Sequence, residues 1–170
     1  MGLIISASED FSFGKYAIND ADVTRQNLKE YVKQNETRLI YELLGVDLGN
    51  LLIADLGPNK EPVTQRFITI FEPLAFNWAN RLIMSKGIKE MLKGFVFSEF
   101  VREQNYKNNI NGSSRNLYEQ GELISANFAG LPHKYNEAVD SFCAIQLYIN
   151  ENKTDYPEFK GIVKEYTSLI

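Results

Sequence analysis

The run Ser85-Lys86-Gly87-Ile88-Lys89-Glu90-Met91-Leu92-Lys93-Gly94-Phe95-Val96-Phe97-Ser98-Glu99-Phe100-Val101-Arg102 sets the fold class. Ser85 can cap a helix by accepting an unpaired backbone N–H of the first turn. From Lys86 to about Tyr106 the apolar positions are Ile88, Met91, Leu92, Phe95, Val96, Phe97, Phe100 and Val101. A surface helix carries an apolar stripe about 100° wide or somewhat more, but Phe97 and Val101 fall well outside the stripe of Ile88, Leu92 and Phe95. A helix this apolar is either the central helix of its domain or has one side covered by another subunit. The two readings are compatible.

Further helices are expected on both sides of it. Asp20 or Asp22 offers an N-cap for a helix from Val23 to Leu44, with Leu28, Val32, Leu39 and Leu43 on one face and Asn35 as the place where it could break. Gly45 supplies a stop. Asp47 can cap a short second helix carrying Leu48, Leu51, Leu52 and Leu56, closed by Gly57-Pro58. Pro62 suits the first position of a third, which Pro73 ends. Leu74, Phe76 and Trp78 alternate with Ala75, Asn77 and Ala79, which predicts a short extended segment. The last helix is placed from Pro132, in its first turn, to about Asn150, with a helical turn or two at Ile124 to Ala129 before it.

Three regions break the helical pattern. In residues 1–20, Phe11, Phe13 and Tyr16 are spaced at two and three, which predicts an extended arm. Between Glu103 and Gln120 the chain is polar, with Tyr106, Ile110 and Leu117 as its apolar anchors. Asn111-Gly112 is a reverse-turn signal there, so the region reads as a long polar loop or a β-hairpin. From 154 to 170, Tyr156, Phe159, Ile162, Val163, Tyr166, Leu169 and Ile170 make a tail too apolar to float free. The expected organisation is mainly α: a single-domain helical bundle over 21–153, with extended terminal arms and one long polar loop or hairpin. Candidate contact residues for a subunit or partner are Phe11, Phe13 and Tyr16 in the arm, Phe97 and Val101 on the central helix, Tyr106, Ile110, Asn111, Gly112, Arg115 and Leu117 in the loop, and Phe159, Ile162, Val163, Tyr166 and Ile170 in the tail.

Composition removes several function classes. The 170 residues carry 18 Lys+Arg against 22 Asp+Glu, a net charge of −4, which argues against a nucleic-acid binder working through bulk positive charge. With 44% hydrophobic and 24% charged residues, neither a disordered chain nor a coiled-coil rod is expected. The single Cys143 excludes an internal disulfide framework and a cysteine-rich zinc site. The single His133 excludes a helix bearing two metal-binding histidines, and any Ser-His-Asp or Cys-His set would have to use it.

Other motifs fail on their details. No Gly-x-Ser-x-Gly elbow occurs, and Gly45 and Gly49 stand in no phosphate-loop motif. Asp20-Ala-Asp22 opens like a calcium loop, but the glycine is missing and Tyr31 takes the place of the closing glutamate. His133 is expected exposed or capping, Cys143 a buried inert thiol, and Glu9-Asp10 a solvated pair. Lys107 and Arg115 put positive charge beside Tyr106, yet Glu103 and Glu119 flank them. No catalytic residue, cofactor or metal is expected. Leu3-Ile4-Ile5 is too short for a signal core or a membrane span. Met1 to Ser6 fits the loose myristoylation pattern, but no second anchor follows. The Asn-x-Ser/Thr triplets at Asn35, Asn111 and Asn152 read as chance matches.

Several stretches resemble a known family. Leu39-Ile40-Tyr41-Glu42-Leu43-Leu44-Gly45 is similar to the helix-ending motif of head–tail connector (adaptor) proteins of tailed bacteriophages and prophages of Bacteroidetes-type hosts. Ser85 to Phe95 with Glu99-Phe100-Val101-Arg102, then Tyr135-Asn136-Glu137-Ala138-Val139-Asp140 with Ala144-Ile145-Gln146-Leu147-Tyr148-Ile149, and finally Tyr156-Pro157-Glu158-Phe159, resemble the same family in order and spacing from about Asn27 to Gly161. The resemblance implies a helical virion structural protein, made in the host cytoplasm and placed at the head–tail interface. Such proteins form a homo-oligomeric ring, usually of twelve copies, below the portal protein. The ring extends the DNA channel, passes DNA without specific binding, and docks the next neck or tail protein. No membrane is involved. The rival reading is a small cytoplasmic helical adaptor or regulator that binds one protein partner.

Overall fold

The structure, a computed structural model, describes residues 2–18, 22–104, 106–109, 112–115, 122–161 and 164–168, with backbone alone at 22–25, 104, 106–109, 112–115 and 122–129. A 3-10 turn at Gly14–Tyr16 precedes α1 (Asp22–Asp55), α2 (Gln65–Phe71), β1 (Leu74–Trp78), β2 (Arg81–Ser85), α3 (Gly87–Gln104), β3 (Tyr106–Asn109), β4 (Gly112–Arg115) and α4 (Glu122–Glu151). The fold is mainly α, and the strands among the described residues form two antiparallel hairpins.

α3 is the central helix. Ile88, Met91, Leu92, Phe95 and Val96 are fully buried and Phe97 and Phe100 nearly so, because α1, α2, α4 and the 3-10 turn surround it. Its own chain therefore covers the apolar circumference. Entry into α3 requires a glycine: at Gly87 φ is +85°, and a Cβ there would stand 2.2 Å from the Phe71 carbonyl oxygen. Ser85 ends β2 rather than standing directly before α3, and its Oγ accepts from the Gly87 N–H at 3.0 Å at the entry to the helix.

Several expected boundaries shift, each for a local reason. α1 runs unbroken through Asn35, whose side-chain amide donates back to the Tyr31 carbonyl at 3.0 Å. The break falls at Gly45 (φ 75°, ψ 169°), and the second, Leu48-containing half resumes at once. Pro62 does not open α2. It pairs with Leu56 in an isolated bridge. The Asp55 carboxylate takes the N–H groups of Val63 and Thr64 at 2.9 and 2.8 Å, so α2 starts after Thr64. Pro132 lies inside α4, which begins ten residues earlier than its expected start. A proline lacks one N–H, and the long flanking helical segments outweigh that single lost bond.

The extended segment at Leu74 is one half of a hairpin that the sequence did not announce. Leu74 pairs with Ser85, Phe76 with Ile83 and Trp78 with Arg81. The turn is made by Ala79 and Asn80, at φ 47° and 61°. Two positive φ values make the turn that suits a two-residue hairpin, but an alanine there hides the signal. β3 and β4 pair from Tyr106 with Arg115 to Asn109 with Gly112.

Candidate functional site

The described parts of both terminal segments fold back on the helices, and this determines which surfaces remain free. At the N-terminal end Ile4, Ile5, Phe11 and Tyr16 are buried in the core. Their backbone is anchored by Glu36, 1% exposed, from the middle of α1. One carboxylate oxygen accepts the N–H groups of Ile4 at 2.6 Å and Ile5 at 2.8 Å, and the other accepts the Leu3 N–H. Burial raises the Glu36 carboxyl above its ordinary value, while the three N–H groups and Lys60 act in the opposite sense. Asp10 is no free surface acid: it accepts the Ser6 N–H at 2.7 Å and lies 3.5 Å from the Lys89 ammonium.

At the other end Tyr156 and Phe159 are buried. The Tyr156 hydroxyl donates to the Arg66 carbonyl at 2.6 Å, and the Arg66 guanidinium meets Glu158 at 3.1 Å. Tyr166 is half-buried between Phe95 and Phe142, with ring centroids 4.7 and 4.9 Å away. Its hydroxyl donates to Glu42. Glu42 also takes Lys164 at 2.9 Å and Arg38 at 3.2 Å, and Arg38 reaches Glu99 at 2.7 Å. Burial disfavours the charge on Glu42, but these partners together hold its carboxyl below the usual range.

This network borders an open cleft of about 600 Å³ at the Gly45 kink. Tyr41, Leu44 and Val46 make its walls, with Glu42, Asp47, Glu158, Arg38 and Lys160 around them. Lys160 pairs with Asp47 across it. Each of its lining carboxylates already holds a cationic partner. Among the described residues, no group of three or more His, Cys, Asp or Glu side chains is placed to hold a metal ion.

The second free surface is the outer face of the β1–β2 hairpin. Alternation along the strands turns Leu74, Phe76 and Ile83 inward, with Phe76 edge-on to Tyr148 at 5.3 Å. Leu82 and Met84 project the other way and are 63% and 65% exposed, with Trp78 partly exposed at the hairpin end.

The sequence-predicted contact residues divide accordingly. Phe11, Tyr16, Phe97 and Phe159 are buried within their own chain, Val101 and Tyr166 are half-buried, and Phe13 stands in solvent, 86% exposed. The described part of the tail and the arm therefore do not extend from the body, because their apolar side chains find partners in it. Tyr106, Gly112 and Arg115 lie on β3 and β4, described by backbone alone. Ile110, Asn111, Leu117, Ile162, Val163 and Ile170 lie outside the described residues.

Two further residues behave differently from expectation or in line with it. His133 is exposed, 3.8 Å from Glu137. Cys143 is exposed rather than buried, because one step along a helix turns it about 100° from the inward Phe142. Partial desolvation, aided by Asp140 and Glu165, raises its thiol above the ordinary value, so it carries little thiolate.

Sequence reasoning passed over Glu36, Leu82 and Met84. A polar residue at an apolar-phase position of α1, between Val32 and Leu39–Ile40, was the one available signal for Glu36. No family model, curated protein or solved structure matches the chain. Among the described residues no helix is long and apolar enough to cross a membrane.

Proposed function

We propose that the chain is a virion structural protein: a connector that assembles as a ring below the portal of a tailed phage. The ring extends the DNA channel and docks the next neck or tail protein. The observation that carries this reading is the bare apolar surface on an otherwise well-satisfied domain. Leu82 and Met84 are in water, although the same chain buries Ile4, Ile5, Phe11, Tyr156 and Phe159 near its ends. Leu82 and Met84 stand on the same face of β2, and exposed apolar surface of this kind on a small protein suits a contact with another macromolecule. The resemblance of the α1 ending, the central helix and the Tyr156-Pro157-Glu158-Phe159 segment to phage connectors supports the identity of that contact. A net charge of −4 also suits a conduit that lets DNA pass without gripping its phosphates.

In this reading the mechanism is geometric: the helical body gives each subunit its rigid wedge, and the hairpins reach the neighbour, the portal or the tail. Negative-stain images of the purified full chain, alone and on purified portals, test it. Ring-shaped particles several-fold heavier than a monomer are expected. A compact dimer that ignores portals would instead favour a small helical adaptor.

A further inference from the structure

The last stretch of the chain is held differently from the segment just before it. Tyr156 and Phe159 are buried, and the Phe159 N–H donates to the Tyr156 carbonyl at 3.0 Å. Gly161 follows at φ +107°, a conformation that L side chains rarely adopt, with open space where a Cβ would stand. Beyond it Lys164, Glu165, Thr167 and Ser168 are exposed, and Tyr166 alone is seated. Among the described residues, no backbone–backbone hydrogen bond ties 164–168 to the body. Two side chains hold this strap. The Tyr166 ring lies against Phe95 and Phe142, and its hydroxyl and the Lys164 ammonium both donate to Glu42.

The slot under Tyr166 is built without the strap. Phe95 of α3 and Phe142 of α4 meet edge-on at 6.0 Å, and Tyr135 stands edge-on to Phe95 at 5.5 Å. When Tyr166 leaves, Glu42 keeps Arg38 at 3.2 Å, and Arg38 keeps Glu99 at 2.7 Å. No buried charge is then stranded. Departure of the strap loses one half-buried aromatic and one lysine contact, while Tyr156 and Phe159 stay in place.

We infer that straps are exchanged between copies: Tyr166 of one copy, with its Lys164, fills the slot of Phe95, Phe142 and Glu42 in the next. The occupant follows from the structure, since this same segment already fits the slot within its own chain. Exchange repeats the same contacts and changes only the direction of the chain at Gly161, which makes such swapping a low-cost route to assembly. A single seated ring is a weak hold for a tethered segment, and copies packed side by side present their straps at high effective concentration. Passed from each copy to the next, the contact is head-to-tail and gives a ring when the rotation closes. That the next copy is a ring neighbour rests on the connector reading; the exchange itself does not.

Cys143 supplies the reporter, being exposed on α4 with Glu165 near enough to help raise its thiol. The parent chain is mixed one to one with a full-length Cys143→Ser, Glu165→Cys variant under mild oxidation. A disulfide between positions 143 and 165 then forms only between copies. Non-reducing gels and peptide maps should show this link, rising with protein concentration. Adding Tyr166→Ala to the variant should lower its yield by about tenfold, as expected for loss of an aromatic anchor. Lys164→Glu, at an exposed position, should lower it in the same direction and serves if Tyr166→Ala fails to fold by circular dichroism. Absence of the link, or a link that these substitutions leave unchanged, overturns the exchange while the ring reading stands. The link without ring-shaped particles keeps the exchange and removes the ring.

Discussion

The N-terminal segment and the β1–β2 hairpin are both short, non-helical pieces laid on the helical body, and both carry large apolar side chains. The first buries Ile4, Ile5 and Phe11, whereas the second leaves Leu82 and Met84 in water. The difference lies in the backbone. The hairpin satisfies its own N–H and C=O groups across one ladder, so one face can stay out. The N-terminal segment has no strand partner and must find acceptors in the body. Glu36 supplies them for three successive N–H groups. Apolar residues tied down in this way join the core, and those on the outer face of the hairpin stay in water.

The strongest way to break this comparison is Phe11→Ala. The side chain is 1% exposed, and removing it should cost about 3–5 kcal/mol in urea unfolding, as for other buried phenylalanines. A loss near zero would place the segment outside the cooperative core.

Glu36→Leu comes next, with an expected loss of about 3 kcal/mol, since it strands buried donors that have no second acceptor. Limited proteolysis should then cut first within residues 2–10. A variant as resistant as the parent would contradict the anchoring role.

A smaller effect is read in pH. The Glu42 carboxyl is held below its ordinary value of 4.5, so the stability it contributes is complete above that pH and lost as pH falls through its folded value. Glu36 lies above its ordinary value and works the other way, its contribution fading as pH rises through its folded value. Melting temperature followed from neutral to acid pH should fall less steeply for Glu42→Gln than for the parent. Parallel profiles would show that the Tyr166–Lys164–Arg38 cluster does not couple to folding.

The smallest effect sharpens the other half of the comparison. Leu82→Ser and Met84→Ser should each change stability by no more than about 0.5 kcal/mol, because their faces are already hydrated. A larger loss would mean that the hairpin packs on the chain itself.

Much of this architecture was legible in the sequence. The apolar circumference of Ile88 to Phe100 marks a central helix, and Gly45 marks the break in α1. These signals are local: periodicity and a glycine. The first hairpin was only half visible, because Ala79-Asn80 adopts a turn that alanine does not advertise. The start of α4 was hidden by Pro132, which reads as a first-turn residue when the flanking segment carries weak periodicity.

The contact surfaces were less legible still. Tyr16, Phe97 and Phe159 look alike in sequence whether they face a neighbour or their own core, and only the packing separates them from Phe13. Glu36 was missed since its partners, the N–H groups of residues 3–5, have no side-chain signature.

Amide hydrogen exchange on the free, full-length chain tests most directly the claim that both ends belong to their own subunit. The account predicts strong protection at the Ile4 and Ile5 amides, and at Phe159, whose N–H donates to the Tyr156 carbonyl at 3.0 Å, in the absence of any partner. Exchange of these amides at the rate of an unstructured peptide, with protection appearing only on assembly, would contradict it.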